Sequence, residues 1–75
     1  MTRLFVFDTT HHALHAEQVG LARGLGIQVV PAPADAHAKC DLALECLAED
    51  ADALETAMRE AEVPYRLHVT SRRPD

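Results

Sequence analysis

Apolar and polar positions along the chain change period from one stretch to the next, and each period predicts an element. Residues 3–7 form a short β-branched and aromatic run that ends at Asp8-Thr9-Thr10, predicting a strand that leads into a helix start. Thr9 or Thr10 is placed to cap that helix, its hydroxyl accepting from the free amides of the first turn. Over residues 11–25, Leu14, Leu21, Ala22 and Leu25 fall on one stripe, flanked by Ala13 and Val19, which predicts an amphipathic helix. Gly24 and Gly26 supply the positive φ that a helix C-terminus favours, so the helix should stop near Leu25. Gly20, inside it, should cost about 1 kcal/mol relative to alanine.

Residues 27–30 predict a second strand, which Pro31 and Pro33 end or confine to an edge because neither ring can donate to a ladder. Residues 34–39 read as loop. Residues 40–47 then alternate, with Cys40, Leu42, Leu44 and Cys46 on one face and Asp41, Ala43 and Glu45 on the other, predicting a half-buried third strand. Glu49, Asp50 and Asp52 place negative charge in the first turn of a second helix, where the macrodipole favours it. Its stripe is Leu47, Ala51, Leu54, Met58 and Ala61, and Pro64 blocks continuation. Residues 65–70 form the last strand, Tyr65, Leu67 and Val69 alternating with Arg66, His68 and Thr70.

The order β-α-β-β-α-β predicts an α+β, ferredoxin-like sandwich, a four-stranded antiparallel sheet with two helices on one face. The chain is expected to be a single domain over residues 1–75, its core spanning about residues 3–70 and residues 71–75 forming a solvated tail that holds Arg72 and Arg73. Right-handed crossovers make strands one and two parallel, and the hairpin between strands two and three reverses the chain. The end of strand one, the start of helix one, the loop from Pro31 to Lys39 and the start of strand three therefore share one end of the sheet. Cys40 and Cys46 fall at opposite ends of strand three, roughly 20 Å apart at ~3.3 Å per residue, too far for a disulfide or a shared metal.

Composition narrows the function classes. The chain has 75 residues, 48% of them hydrophobic and 25% charged, enough for one core but not for an enclosed multidomain active site. A net charge of -5 argues against a nucleic-acid partner, because phosphate contacts need a basic surface. No apolar run approaches the ~20 residues of a membrane span, and no charged-then-apolar leader opens the chain, so a cytoplasmic protein without membrane contact is expected. Two cysteines outside any Cys-x-x-Cys pair fit a reducing compartment.

Chemistry then concentrates at the end of the sheet that gathers Cys40 and the run Thr10-His11-His12-Ala13-Leu14-His15. A thiol beside a helix N-terminus and histidines is a candidate carrier or nucleophile. Thr10 and an imidazole, His11 or His12, would tune it, while His11 and His15 are i,i+4 neighbours on one helix face. The alternative is a packed cysteine in a non-catalytic interaction module. A third reading takes His37, Cys40 and the His11/His15 pair as ligands for zinc or copper, although their spacing matches no closed site. No phosphate loop, Ser-His-Asp order or carboxylate pair is present, and no cofactor is implied. If Phe5 and Phe7 lay on the sheet face away from the helices, beside Ala43, Glu45, Arg66 and His68, a homodimer through the sheet would cover them.

The segments Thr9-Thr10-His11-His12-Ala13-Leu14-His15-Ala16-Glu17, Gly26-Ile27, Pro31-Ala32-Pro33, Cys40 and Ala43-Leu44, in that order and spacing, resemble the putative selenium/sulfur carrier protein-like family over about residues 3–70. The resemblance implies a small cytoplasmic carrier or accessory protein, rather than a stand-alone enzyme, that holds sulfur or selenium on one cysteine. Its partners would be donor or acceptor proteins of the desulfurase or sulfurtransferase type. Cys40 takes the position of the family's cysteine, and Thr10, His11 and Ala13-Leu14 that of its helix-start motif. Where the family commonly has arginine, glycine and arginine, this chain has Ala34, Asp41 and Glu45, which exchanges positive charge for negative in the segment around the cysteine.

Overall fold

The computed structural model describes residues 1–68. Its order is strand β1 (Thr2–Val6), helix α1 (Thr10–Ala22), strand β2 (Ile27–Pro31), strand β3 (Leu42–Leu47), helix α2 (Ala51–Glu60) and strand β4 (Arg66–His68), with 3₁₀ turns at Ala34–Ala36 and Ala48–Asp50. The strands form one antiparallel sheet in the order β2-β3-β1-β4, the ferredoxin-like arrangement. β2 is an edge strand and ends at Pro31, as a residue with no amide to donate requires.

Both helices lie on one side of the sheet. Phe5, Phe7, Leu44, Cys46, Leu54 and Met58 fill the space between them, with Ala13 and Ala16 of α1. Full burial of a side chain such as Leu54 or Met58 stabilises by about 1.5–3 kcal/mol relative to exposure. Phe5 and Phe7 are thus in the helix-side core, and the apolar argument for a homodimer through the open sheet face falls with them. Parity explains it: Phe5 is opposite Leu44 and Leu67, whereas Val6, opposite Ala43 and Arg66, points the other way.

Helix α1 departs from the predicted stripe. Its buried residues are Ala13, Ala16 and Gly20, while Leu14 and Leu21 are 44% and 55% exposed. The helix seats closely on small side chains: a Cβ on Gly20 would come within 2.6 Å of Ile27 Cδ1 and 3.1 Å of Leu54 Cδ1. α1 also ends earlier than predicted. Gly24, at φ 74°, closes it, with Gly24 N donating to Leu21 O and Leu25 N to Gly20 O, so Gly26 is not needed for the stop. α2 ends the same way with Glu62 at φ 60° in the left-handed position. Leu47 belongs to β3 and is 45% exposed, not part of the α2 stripe. Tyr65 precedes β4, its ring edge-on to Phe5 at 5.5 Å. Val69, Thr70 and the tail lie outside the described residues.

The two faces of the sheet are both partly apolar. Val6, Ala43 and Ala36 form a second small cluster on the face away from the helices, joined by Leu4, Val30, Ala32 and Ala38. Ala32, Ala36 and Ala38 come from the β2–β3 connection, which therefore folds over that face instead of projecting into solvent.

Candidate functional site

The helix start is arranged by its two threonines. Thr9, extended at φ -141° and ψ 156°, is the N-cap, its Oγ1 accepting from His12 N at 3.1 Å. Thr10, the first helical residue, is left with a hydroxyl that lies 3.7 Å from Cys40 Sγ, either atom able to donate. The amides of Thr10 and His11 have no carbonyl partner within the helix, as at any α-helix start.

Cys40 is not in the strand. β3 begins two residues later than the alternation predicts, at Leu42, because the chain is still turning: His37 takes a left-handed conformation at φ 51°, and residues 39–41 form a bend. The bend brings Leu42 N to 3.2 Å from Cys40 Sγ, so the sulfur accepts from a main-chain amide and adjoins a hydroxyl. Ala32 N donates to Asp41 O at 2.8 Å and closes the loop at its base. The side chain keeps the parity predicted for it and enters the helix-side core, where it is 3% exposed.

The histidines separate. His11 is exposed and His15 half-buried, with ring centroids 6.3 Å apart, and both line a shallow hollow with Leu14 and Gln18 on the outward face of α1. His12 is half-buried, and its Nδ1 is buried without a hydrogen-bond partner. Among the described residues the hydrogen-bond contacts of Cys40 are Thr10 and Leu42, and no imidazole is one of them. Nor do three or more His, Cys, Asp or Glu side chains converge as a metal-ligand set among those residues.

At the other end of β3, Cys46 is also free and only 2% exposed, opposite Arg3 and Ile27. Burial pushes its thiol up, the Asp50 and Glu45 carboxylates push it further the same way, and Arg3 opposes them. Tyr65 is likewise raised, by burial first and then by donating to Glu55 Oε1 at 2.9 Å; it anchors the C-terminal half of α2 and takes no part in the Cys40 site.

Residues 2–68 match the family described as "Putative Se/S carrier protein-like". The chain belongs to that family. No curated protein and no solved structure matches it. In this Se/S carrier-like chain the three departures fall in different places. Asp41 is exposed directly after Cys40, and Ala34 is exposed in the 3₁₀ turn of the loop. Glu45 sits on the sheet face away from the helices, opposite Leu4 and Gln28, and its charge helps to raise the Cys46 thiol.

Sequence reasoning missed the Leu42 amide and the fold-back of the loop. The first depends on a turn that alternation does not encode. The second left a signal in Ala32, Ala34, Ala36 and Ala38, small apolar residues at every second position of a segment otherwise read as solvated.

Proposed function

We propose that this protein carries sulfane sulfur or selenium on Cys40 in the reducing cytoplasm, taking it from a desulfurase- or sulfurtransferase-type donor and passing it to an acceptor protein. Family membership supports the class of cargo, and the observation that carries the assignment to a residue is the seat of Cys40 Sγ, 3.7 Å from Thr10 Oγ1 and 3.2 Å from Leu42 N at the start of α1. In the loading step the Cys40 thiolate attacks the outer sulfur of a donor persulfide. The Sγ–S bond forms as the donor's S–S bond breaks, and the electron pair leaves with the donor thiolate, which takes up the proton Cys40 gave up. No oxidant is consumed. Transfer to the acceptor is the same exchange, with Cys40 as the leaving thiolate; selenium would be held as a selenosulfide.

Thr10 and Leu42 act as donors to the sulfur that gains charge, and the open amides of the α1 start add a favourable field. Neither His11 nor His12 is a hydrogen-bond partner of Cys40, so either imidazole would take the thiol proton through solvent and not by direct contact. The test is intact-mass spectrometry after incubation with a small-molecule persulfide donor. The wild type gains one sulfur atom that a reductant removes, and Cys40→Ser does not; an equal gain in Cys40→Ser contradicts the assignment.

A second reading, a non-catalytic interaction module with Cys40 merely packed, draws on its 3% exposure. It predicts no added sulfur in either protein and alkylation as slow at Cys40 as at Cys46.

A further inference from the structure

A thiol that exchanges sulfur with other proteins must reach solvent, and Cys40 is sealed. The segment that carries it, whose other residues pack on the opposite face of the sheet, is tied down far from the sulfur. From the base contact between Ala32 N and Asp41 O, the connection runs over the sheet face away from the helices, where Ala36 is 3% exposed against Val6 and Ala43. Its tip reaches β4, two strands beyond the β3 it leads into. There Arg66 Nη2 donates to Ala36 O at 3.0 Å, and His68 Nε2 stands 3.5 Å from Asp35 Oδ1. The His68 side chain is 10% exposed and Asp35 60% exposed, so the contact closes the outer side of the loop. The same ten-residue span therefore places alanines on one face of the sheet and Cys40 on the other. Turning the 39–41 bend to expose the sulfur pulls against both anchors.

We infer that the loop 32–41 is a strap that gates Cys40, and that Arg66, with Asp35 and His68, are positioning residues that hold the strap shut. This rests on the carrier reading for its purpose, but not for its test. Opening breaks the Arg66 and His68 contacts together with the Thr10 and Leu42 contacts of the sulfur and uncovers the small cluster of Val6, Ala36 and Ala43, while the sheet ladder and both helices stay in place, so it is a local event less costly than unfolding. A docking protein whose carboxylate engages Arg66, or whose surface takes the place of Ala36, would release the sulfur at the moment of contact.

The strap is tested by pseudo-first-order alkylation of the native protein at neutral pH, with Cys40 and Cys46 resolved by peptide mass and Cys46 serving as the internal control. Arg66→Ala raises the Cys40 rate about fivefold, the population change expected on losing one charged hydrogen bond, and lowers the thermal midpoint by the few degrees that the same loss implies; in low denaturant the Cys40 rate stays flat, as a local opening requires, while the Cys46 rate climbs. Asp35→Asn, which alters one exposed carboxylate, raises the Cys40 rate by a smaller factor in the same direction. Unchanged Cys40 rates in both variants overturn the strap, and so does a Cys40 rate that climbs with low denaturant as steeply as that of Cys46, which marks global unfolding as the route. Persulfide loading of the wild type is scored separately: faster alkylation without loading sinks the carrier and keeps the gate, and loading with unaltered alkylation does the reverse.

Discussion

The two ends of β3 each hold one cysteine, almost equally shielded from water at 3% and 2% exposure, yet they are different chemical environments. Cys46 lies in regular strand, its thiol pushed up by burial and by the carboxylates of Asp50 and Glu45. Cys40 lies in a bend, against a hydroxyl and a main-chain amide, in a loop closed by a handful of polar contacts. Burial alone therefore does not distinguish the two thiols. What separates them is whether the atoms around the sulfur are donors or carboxylates, and whether a local opening or a global one is needed to reach it.

The contrast is sharpened most by removing Cys46. Cys46→Ala should cost about 1–2 kcal/mol in a denaturant titration, because it leaves a small void at a packed site, and should leave persulfide loading at the wild-type rate. A loading defect in that variant would make the two ends equivalent. Next in size is Thr10→Val, which keeps the shape and removes the hydroxyl; loading of Cys40 should slow about fivefold and recover with Thr10→Ser. Its alkylation partner Cys46 should not respond.

The smallest effect is on pH-dependent stability. The folded-state thiol of Cys46 and the phenol of Tyr65 are both raised, so the folded protein keeps their protons where the unfolded chain begins to release them. Stability from these groups is complete below the unfolded values and is lost as pH climbs through the window from about 8.5 upward. Thermal midpoints recorded from neutral to alkaline pH should fall, and Cys46→Ala should fall less steeply. A midpoint that rises with pH over that window contradicts the sign.

Much of this arrangement was legible in the residues. The β-branched and aromatic run of residues 3–7, the alternation in residues 40–47, a threonine cap, Gly24, and the prolines after β2 and α2 specify the elements and their order, and the right-handed crossover rule does the rest by bringing Thr10 and Cys40 to one end. The buried face of α1 was not legible, since counting large apolar residues selects Leu14 and Leu21, whereas close approach to Ile27 and Leu54 selects Ala13, Ala16 and Gly20. The site was half legible for a related reason. Spacing brought Cys40 to the helix start, but the donor from Leu42 and the tethers from Arg66 and His68 depend on how a loop turns, which hydrophobic period does not describe.

On the proposed reading, Cys40 is the poised sulfur of the two that are buried. Peptide-mapped mass spectrometry of the native wild-type protein, taken at short times after mixing with a persulfide donor, tests it most directly. The account predicts the added sulfur on the peptide carrying Cys40 and none on that carrying Cys46; addition to both at matching rates, or to Cys46 first, would contradict it.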